Sequence, residues 1–293
     1  MSENENNKTT QEKITYYPNI FKKRRYKRIN NIIIMAEVTF VNIKKKDFFD
    51  ENATKSTPPL FKHMPLVYAF DLLQNHHLWF ASPESWKDPF EQRFYAAQYE
   101  DLTGARSIPF PWKDKVLCTC FTTKSASEAH WKRGSTNSIM LHFDRGVLLK
   151  LLENLPNDFH VYIGKVEYMQ TRDIQRANLS EIPFKERRPS KLNLNNYCAR
   201  LLLLKRNAFS YEEEIRVMIV KEKQSLNAKK QSQGEYLLKW LEENKLIKKV
   251  TLSPLQSKDE NQKLKEFIST KFGLEVLKSR LYNAPKPRKI MKW

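Results

Sequence analysis

Tyr211-Glu212-Glu213-Glu214-Ile215-Arg216 runs without a break into Val217-Met218-Ile219-Val220. The second half is short, apolar and β-branched, the composition of a buried strand. If strand geometry extends back to Tyr211, side chains alternate, so Glu212, Glu214 and Arg216 share one face and Tyr211, Glu213 and Ile215 the other. Two carboxylates and a guanidinium at the mouth of an apolar strand are costly unless they pair, bind something or stay in water. A paired stack also keeps a carboxylate ionised, which suits it to stand beside a developing positive charge. The spacing alone leaves two readings open: a solvated strand entry with a local ion pair, or a charged site.

The rest of the composition narrows what surrounds this stretch. The 293 residues suffice for one large domain or two small ones, and 40% hydrophobic content supports a sizeable core. A net charge of +19, from 52 basic and 33 acidic residues, favours polyanionic partners: nucleic acid, nucleotides or an acidic protein surface. Base bias toward Lys and Asn gives the same excess without any such partner. Only 6 glycines are present, and neither G-x-G-x-x-G nor a Walker A pattern occurs. Cys118, Cys120 and Cys198 make no disulfide framework, which fits a reducing cytoplasm, and no Cys/His set completes four zinc ligands, so no metal is expected. The apolar run Ile32–Met35 is too short for a membrane helix, and the expectation is a cytoplasmic chain without membrane attachment.

The organisation reads as a basic, partly disordered extension over 1–58, one domain over 59–285 and a basic tail over 286–293. Lys22-Lys23-Arg24-Arg25-Tyr26-Lys27-Arg28 is a basic cluster suited to phosphates or else a bland tail, and Met35 also reads as a natural start. Helices are expected over 65–74, 125–132, 147–155, 195–205, 236–246 and 257–272, with Gly273 as a stop. Strands are expected over 78–82, 116–122, 138–143, 162–168, 211–220, 247–252 and 274–279, with a long loop over 170–195. The mixture predicts an α+β class, with mixed, mainly antiparallel sheets flanked by helices.

Other candidates carry a structural reading beside a functional one. Trp86-Lys87-Asp88-Pro89-Phe90-Glu91 is a Pro-punctuated turn that Asp88 can fix, or an aromatic clamp for a flat ring. Lys62 and His63 precede the first long helix, and His63 reads as a surface residue or as an acid/base. His76 and His77 read as exposed, and Trp131 as core. Thr122 and Thr123 end a strand with hydroxyls that suit a turn bond or a sugar. No Ser-His-Asp arrangement is visible.

Taken in order, these pieces resemble a bacterial family catalogued as domain of unknown function 2971, over roughly residues 59–285. Leu60-Phe61-Lys62-His63, Leu78-Trp79-Phe80-Ala81-Ser82-Pro83 and Trp86-Lys87-Asp88-Pro89-Phe90-Glu91 are similar to its opening. Cys120-Phe121-Thr122, Trp131, Tyr211–Arg216 and Val250–Pro254 follow in its order. Met64, His63 and Lys87 depart from its usual Arg, Tyr and Asn, and Gly134 stands near its usual Tyr. That layout is distantly similar to the ADP-ribosyltransferase fold. There a basic or His residue on one strand, a hydroxyl or aromatic on a second and a Glu near a later one form the site.

The resemblance implies an NAD-using ADP-ribosyltransferase or NAD glycohydrolase, as a toxin or antiphage defence effector acting on nucleic acid or protein. It implies Glu214, Glu212 and Arg216 as catalytic residues, with Lys62, His63, Thr122, Thr123, Trp86 and Phe90 holding NAD. Partners would be nucleic acid or a protein of the same defence or toxin system. The alternative is a non-catalytic nucleic-acid-binding or sensor module on the same scaffold.

Overall fold

The computed structural model describes residues 36–52, 57–100, 107–125, 127–133, 137–176, 191–221 and 235–283. The strands are β1 (Glu37–Phe40), β2 (Leu60–Pro65), β3 (His77–Ala81), β4 (Gln98–Glu100), β5 (Ser107–Pro109), β6 (Val116–Thr122) and β7 (Ser138–Phe143). They continue as β8 (Phe159–Lys165), β9 (Glu167–Met169), β10 (Leu204–Arg206), β11 (Glu214–Lys221), β12 (Glu235–Lys239), β13 (Ile247–Leu252) and β14 (Glu275–Lys278). The helices are α1 (Lys45–Phe48), α2 (Leu66–Asn75), α3 (Pro89–Ala96), α4 (Glu128–Arg133), α5 (Arg145–Glu153), α6 (Thr171–Arg176), α7 (Lys191–Leu201) and α8 (Lys258–Phe272).

Among the described residues, one large sheet runs in the order β1-β8-β11-β6-β2-β7-β13-β14. It is mainly antiparallel, with β1–β8 and β13–β14 parallel, and the class is α+β as expected. The sheet forks at β6. On the side away from β11, Thr122 pairs Phe61 of β2 while Cys118 pairs Ala81 of β3, and β3 continues into β12. Small two-stranded sheets join β10 to β9 and β4 to β5.

Directly opposed residues point to the same face. One face of β11 and β6 carries Ile215, Val217, Ile219 and Phe121, packed in a core with α2, α5 and Ile268 of α8. The other carries Met218, Val220, Val116 and Cys118, packed with Phe94 and Tyr95 of α3 and with Cys198, Ala199 and Leu201 of α7. Helices on both faces leave β11 buried from Glu214 to Val220. α8 begins with a capping box between Ser257 and Glu260 and ends at Gly273, whose φ of 63° is a left-handed turn that costs other residues more.

Several expectations are corrected. Ordered structure is present well before residue 59: β1 pairs β8, and Phe48 of α1 is fully buried. Residues 1–35, with the Lys22–Arg28 cluster, and the tail over 286–293 lie outside the described residues. The start of the expected helix over 236–246 is instead β12, whose backbone pairs with β3 and buries Leu238, and a 3-10 turn at Glu242–Asn244 follows. The expected loop over 170–195 contains α6 and the start of α7. His77 is buried, with Nε2 beside Asp71 (3.0 Å) and Trp79 (2.8 Å).

Leu141, in the middle of β7, is wholly buried among residues of α2 and α5. Leu141→Ala is expected to cost about 2–5 kcal/mol through lost burial and a residual cavity. Urea unfolding checks this as a lowered midpoint at unchanged slope.

Candidate functional site

The charged stretch folds differently from a continuous strand. Asn207–Glu212 is a 3-10 turn, Glu213 takes a left-handed conformation (φ 41°), and β11 starts only at Glu214. The kink is fixed at both ends: Glu213 N–H donates to Ser210 O, and Glu214 N–H donates to the Tyr168 hydroxyl at 3.0 Å. Glu213 turns outward, its carboxylate accepting from Lys124 Nζ (3.0 Å) and Thr123 Oγ1 (3.2 Å). Glu212 and Glu214, on either side of it, turn inward to one cation. Lys205 Nζ donates to Glu212 Oε2 at 2.7 Å and to Glu214 Oε2 at 2.9 Å. The two carboxylates do converge, but through the kink rather than by strand alternation.

Arg216 completes the group. Its Nε donates to Glu214 Oε1 at 2.8 Å and its Nη1 to the Leu202 carbonyl. Its Nη2 donates to Glu91 Oε2 and, at 3.3 Å, to Glu214 Oε2. Glu91 comes from α3 and also meets Lys205 Nζ at 3.2 Å. Trp86 covers the guanidinium, 4.2 Å from ring centre to Cζ. Glu91, Lys205, Glu212, Glu214 and Arg216 are each at most 5% exposed, so their mutual pairing rather than water must satisfy them.

The electrostatics follow. Burial alone would raise the Glu214 carboxyl pKa, but Arg216 and Lys205 outweigh it and hold the group well below the usual carboxylate range. Burial likewise opposes the charge on Arg216 and Lys205, but Glu214 together with Glu91 and their other neighbours outweighs it, so both are raised. The Cys120 thiol, on the same face as Glu214, is pushed up to about 12 by burial and by the Glu214 charge, which leaves it inert as a nucleophile.

The residues expected around Glu214 fall on adjacent strands. Glu214 of β11 lies opposite Thr122 of β6, which lies opposite Phe61 of β2, and His63 follows on that same face. His63, Thr122 and Glu214 thus stand on three neighbouring strands with one face in common. Lys62 points to the other face, into the fork, where its ammonium donates to the Cys120 carbonyl (2.7 Å) and Thr119 Oγ1 (3.1 Å). Burial lowers its pKa, countered by Cys120 and by the charge of Glu214. His63 stacks on His130 (4.8 Å between ring centres) and meets Trp131 edge-on (4.6 Å), and neither of its ring nitrogens has a hydrogen-bond partner. Burial first, then His130 and His142, lower its pKa to about 3, so the ring is neutral at ordinary pH.

Other expected ligand contacts are taken by the protein itself. Thr122 is buried and its hydroxyl accepts from Lys124 N–H. One face of Trp86 is filled by Arg216, and Phe90 carries the Arg206 guanidinium at 4.4 Å. Arg206 is held in turn by Asp88, at 3.1 Å and 3.0 Å. Glu212, expected as a catalytic residue, is instead buried with its carboxylate on Lys205. Lys205, Glu91 and Tyr168 were not foreseen as parts of the site. The only hint of Lys205 was a lysine closing the apolar run Leu201–Leu204, and that of Glu91 its place at the end of the Trp86–Glu91 turn.

Comparisons with protein-family models, curated proteins and solved structures found no match, so the family resemblance rests on the motif residues alone. Among the described residues there is no group of three His, Cys, Asp or Glu able to hold a metal ion, and no helix long and apolar enough to cross a membrane.

Two outcomes test this geometry. Arg216→Met leaves three buried carboxylates facing one lysine and is expected to destabilise the fold by about 3–5 kcal/mol. Lys249→Met, breaking a pair with Glu275 in which both side chains are about half exposed, should cost less than about 1 kcal/mol. Urea unfolding of the two variants compares them directly.

The second concerns acid. His63 has its folded pKa below its ordinary 6.5, so the unfolded chain takes up the proton first. Its contribution to stability is intact above pH 6.5 and is lost as pH falls toward 3, at up to about 1.4 kcal/mol per pH unit. Glu214 acts in the same direction at lower pH, its folded pKa lying below the unfolded value. A thermal melt series should therefore fall from pH 6.5 to 4.5, with a shallower slope in His63→Phe.

Proposed function

We propose that this chain is an ADP-ribosyltransferase-like enzyme that uses NAD as substrate. The observation that supports the reading is the order His63, Thr122, Glu214 across three neighbouring strands on one sheet face. It is the order basic or imidazole, hydroxyl, carboxylate that the resemblance implies. The fold resemblance to ADP-ribosyltransferases belongs to the same proposal.

In this reading the bond from nicotinamide to ribose C1′ breaks, and nicotinamide leaves as a neutral ring with the bonding electron pair. An oxocarbenium ion remains on the ribose. Glu214, held ionised by Arg216 and Lys205, stabilises that charge and accepts from a ribose hydroxyl. The neutral His63 carries two unpartnered but buried nitrogens, one a donor and one an acceptor, which must be uncovered to meet the sugar. The acceptor then bonds C1′ and releases its proton to solvent. With water as acceptor the products are ADP-ribose and nicotinamide. Nucleic acid is the acceptor class favoured by the net charge of +19, much of it in Lys22–Arg28 and near the end of the chain. A cytoplasmic toxin or antiphage effector is the setting that accompanies this reading.

A second reading is favoured by one observation: both oxygens of Glu214 already accept from Arg216 and Lys205. On this reading the cluster is a structural core, and the chain is a non-catalytic nucleic-acid-binding or sensor module.

Nicotinamide release by the purified protein separates the two. The enzyme reading expects turnover with NAD, reduced about 100-fold or more in Glu214→Gln. Because Glu214 stays ionised, it also expects no loss of rate assignable to this carboxyl between pH 8 and 5. Absence of turnover with nucleic-acid and protein acceptors, together with oligonucleotide affinity that falls steeply with salt, supports the binding module.

A further inference from the structure

Glu91 lies outside the charged stretch, yet it touches both cations that hold Glu214. Its Oε1 is 3.2 Å from Lys205 Nζ, and its Oε2 accepts from Arg216 Nη2. It does so from a tightly defined position. Asp88 caps α3 by accepting from Phe90 N–H at 3.1 Å, and Arg206 grips Asp88 while stacking on Phe90. Phe94 and Tyr95, one turn on, are anchored in the core with Phe110 and Trp112. The carboxylate is therefore delivered to Arg216 and Lys205 by a rigid element.

Glu91 and Glu214 compete for the same donors. Arg216 Nη2 is shared between Glu91 and Glu214, with the longer contact, 3.3 Å, to Glu214. Lys205 Nζ is shared among Glu91, Glu212 and Glu214. Without Glu91, both cations would be free to turn more fully onto Glu214, which would lower its acceptor capacity toward a ribose. With Glu91 in place, Glu214 is oriented and ionised but its donors are divided.

We propose that Glu91 is a positioning residue for the Glu214 carboxylate, acting through Arg216 and Lys205. This rests on the NAD-using reading of the site, which it deepens. Glu91 does not touch substrate, so its loss should lower kcat and leave KM largely unchanged.

The test compares wild type, Glu91→Gln and Glu91→Asp by steady-state nicotinamide release from NAD. Glu91→Gln keeps the shape and removes the charge, and is expected to lower kcat about 10-fold or more with KM for NAD within about 3-fold. Glu91→Asp keeps the charge but retracts it by a methylene, and should recover part of the lost kcat. A folded Glu91→Gln with wild-type kcat overturns the assignment, as does a raised KM at unchanged kcat, which would mean direct contact with NAD. If neither variant folds, Glu91 is a structural residue and the assignment falls. Wild-type protein without turnover fails the NAD-using reading itself, whereas active wild type with an unaffected Glu91→Gln fails the positioning role alone.

Discussion

The bond between Arg216 and Glu214 sets the terms for everything around it. β11 is covered on both faces, so its charged entry has no route to water, and an ion in such a place is tolerated only with partners at close range. Three elements supply those partners. β10 brings Lys205, the turn after it brings Glu212, and α3 brings Glu91, with Trp86 closing over the guanidinium. Packing of α3 and α7 against this face of the sheet and neutralisation of its charges are one event. A change that unseats α3 leaves a guanidinium short of a carboxylate, and a change that removes the guanidinium leaves three carboxylates short of a cation.

What was legible in the chain was what depends on local pattern. The runs 116–122, 138–143 and 247–252 form strands with those bounds, because short stretches rich in apolar and β-branched residues suit a largely buried pleated sheet. The helix ending at Gly273 was readable for a similarly local reason. The failures are tertiary. Tyr236–Leu246 has helix-forming residues, yet β3 takes the backbone of Tyr236–Lys239 as a strand and leaves only a 3-10 turn after it. β1 is only four residues, too short to stand out in the sequence, and its place is set by pairing with β8 and by Val38 and Phe40 packing on the core. At Glu213 a left-handed residue interrupts what alternation would continue, and nothing in a run of three glutamates marks which one turns out.

The same division holds for the site. Glu212, Glu214 and Arg216 were recognisable as a group because their spacing is short, but the group is buried rather than a solvated strand entry, and Glu212 pairs with Lys205 rather than with Arg216. Lys205 and Glu91 were invisible as partners because they come from other elements, 9 and 123 residues before Glu214 in number. Of the two candidates at the opening strand, only His63 shares the Glu214 face, since consecutive strand residues alternate. Lys62 is spent on the Cys120 carbonyl at the fork, where β2 leaves β6 and the ladder lacks a donor.

The account turns on whether the face shared by His63, Thr122 and Glu214 receives the nicotinamide ribose of NAD. A crystal structure of the protein with an unreactive NAD analogue measures this directly. The account predicts a ribose hydroxyl within about 3 Å of a Glu214 carboxylate oxygen, with His63 against the same sugar. An analogue bound elsewhere, with Glu214 still holding only Arg216 and Lys205, would contradict it.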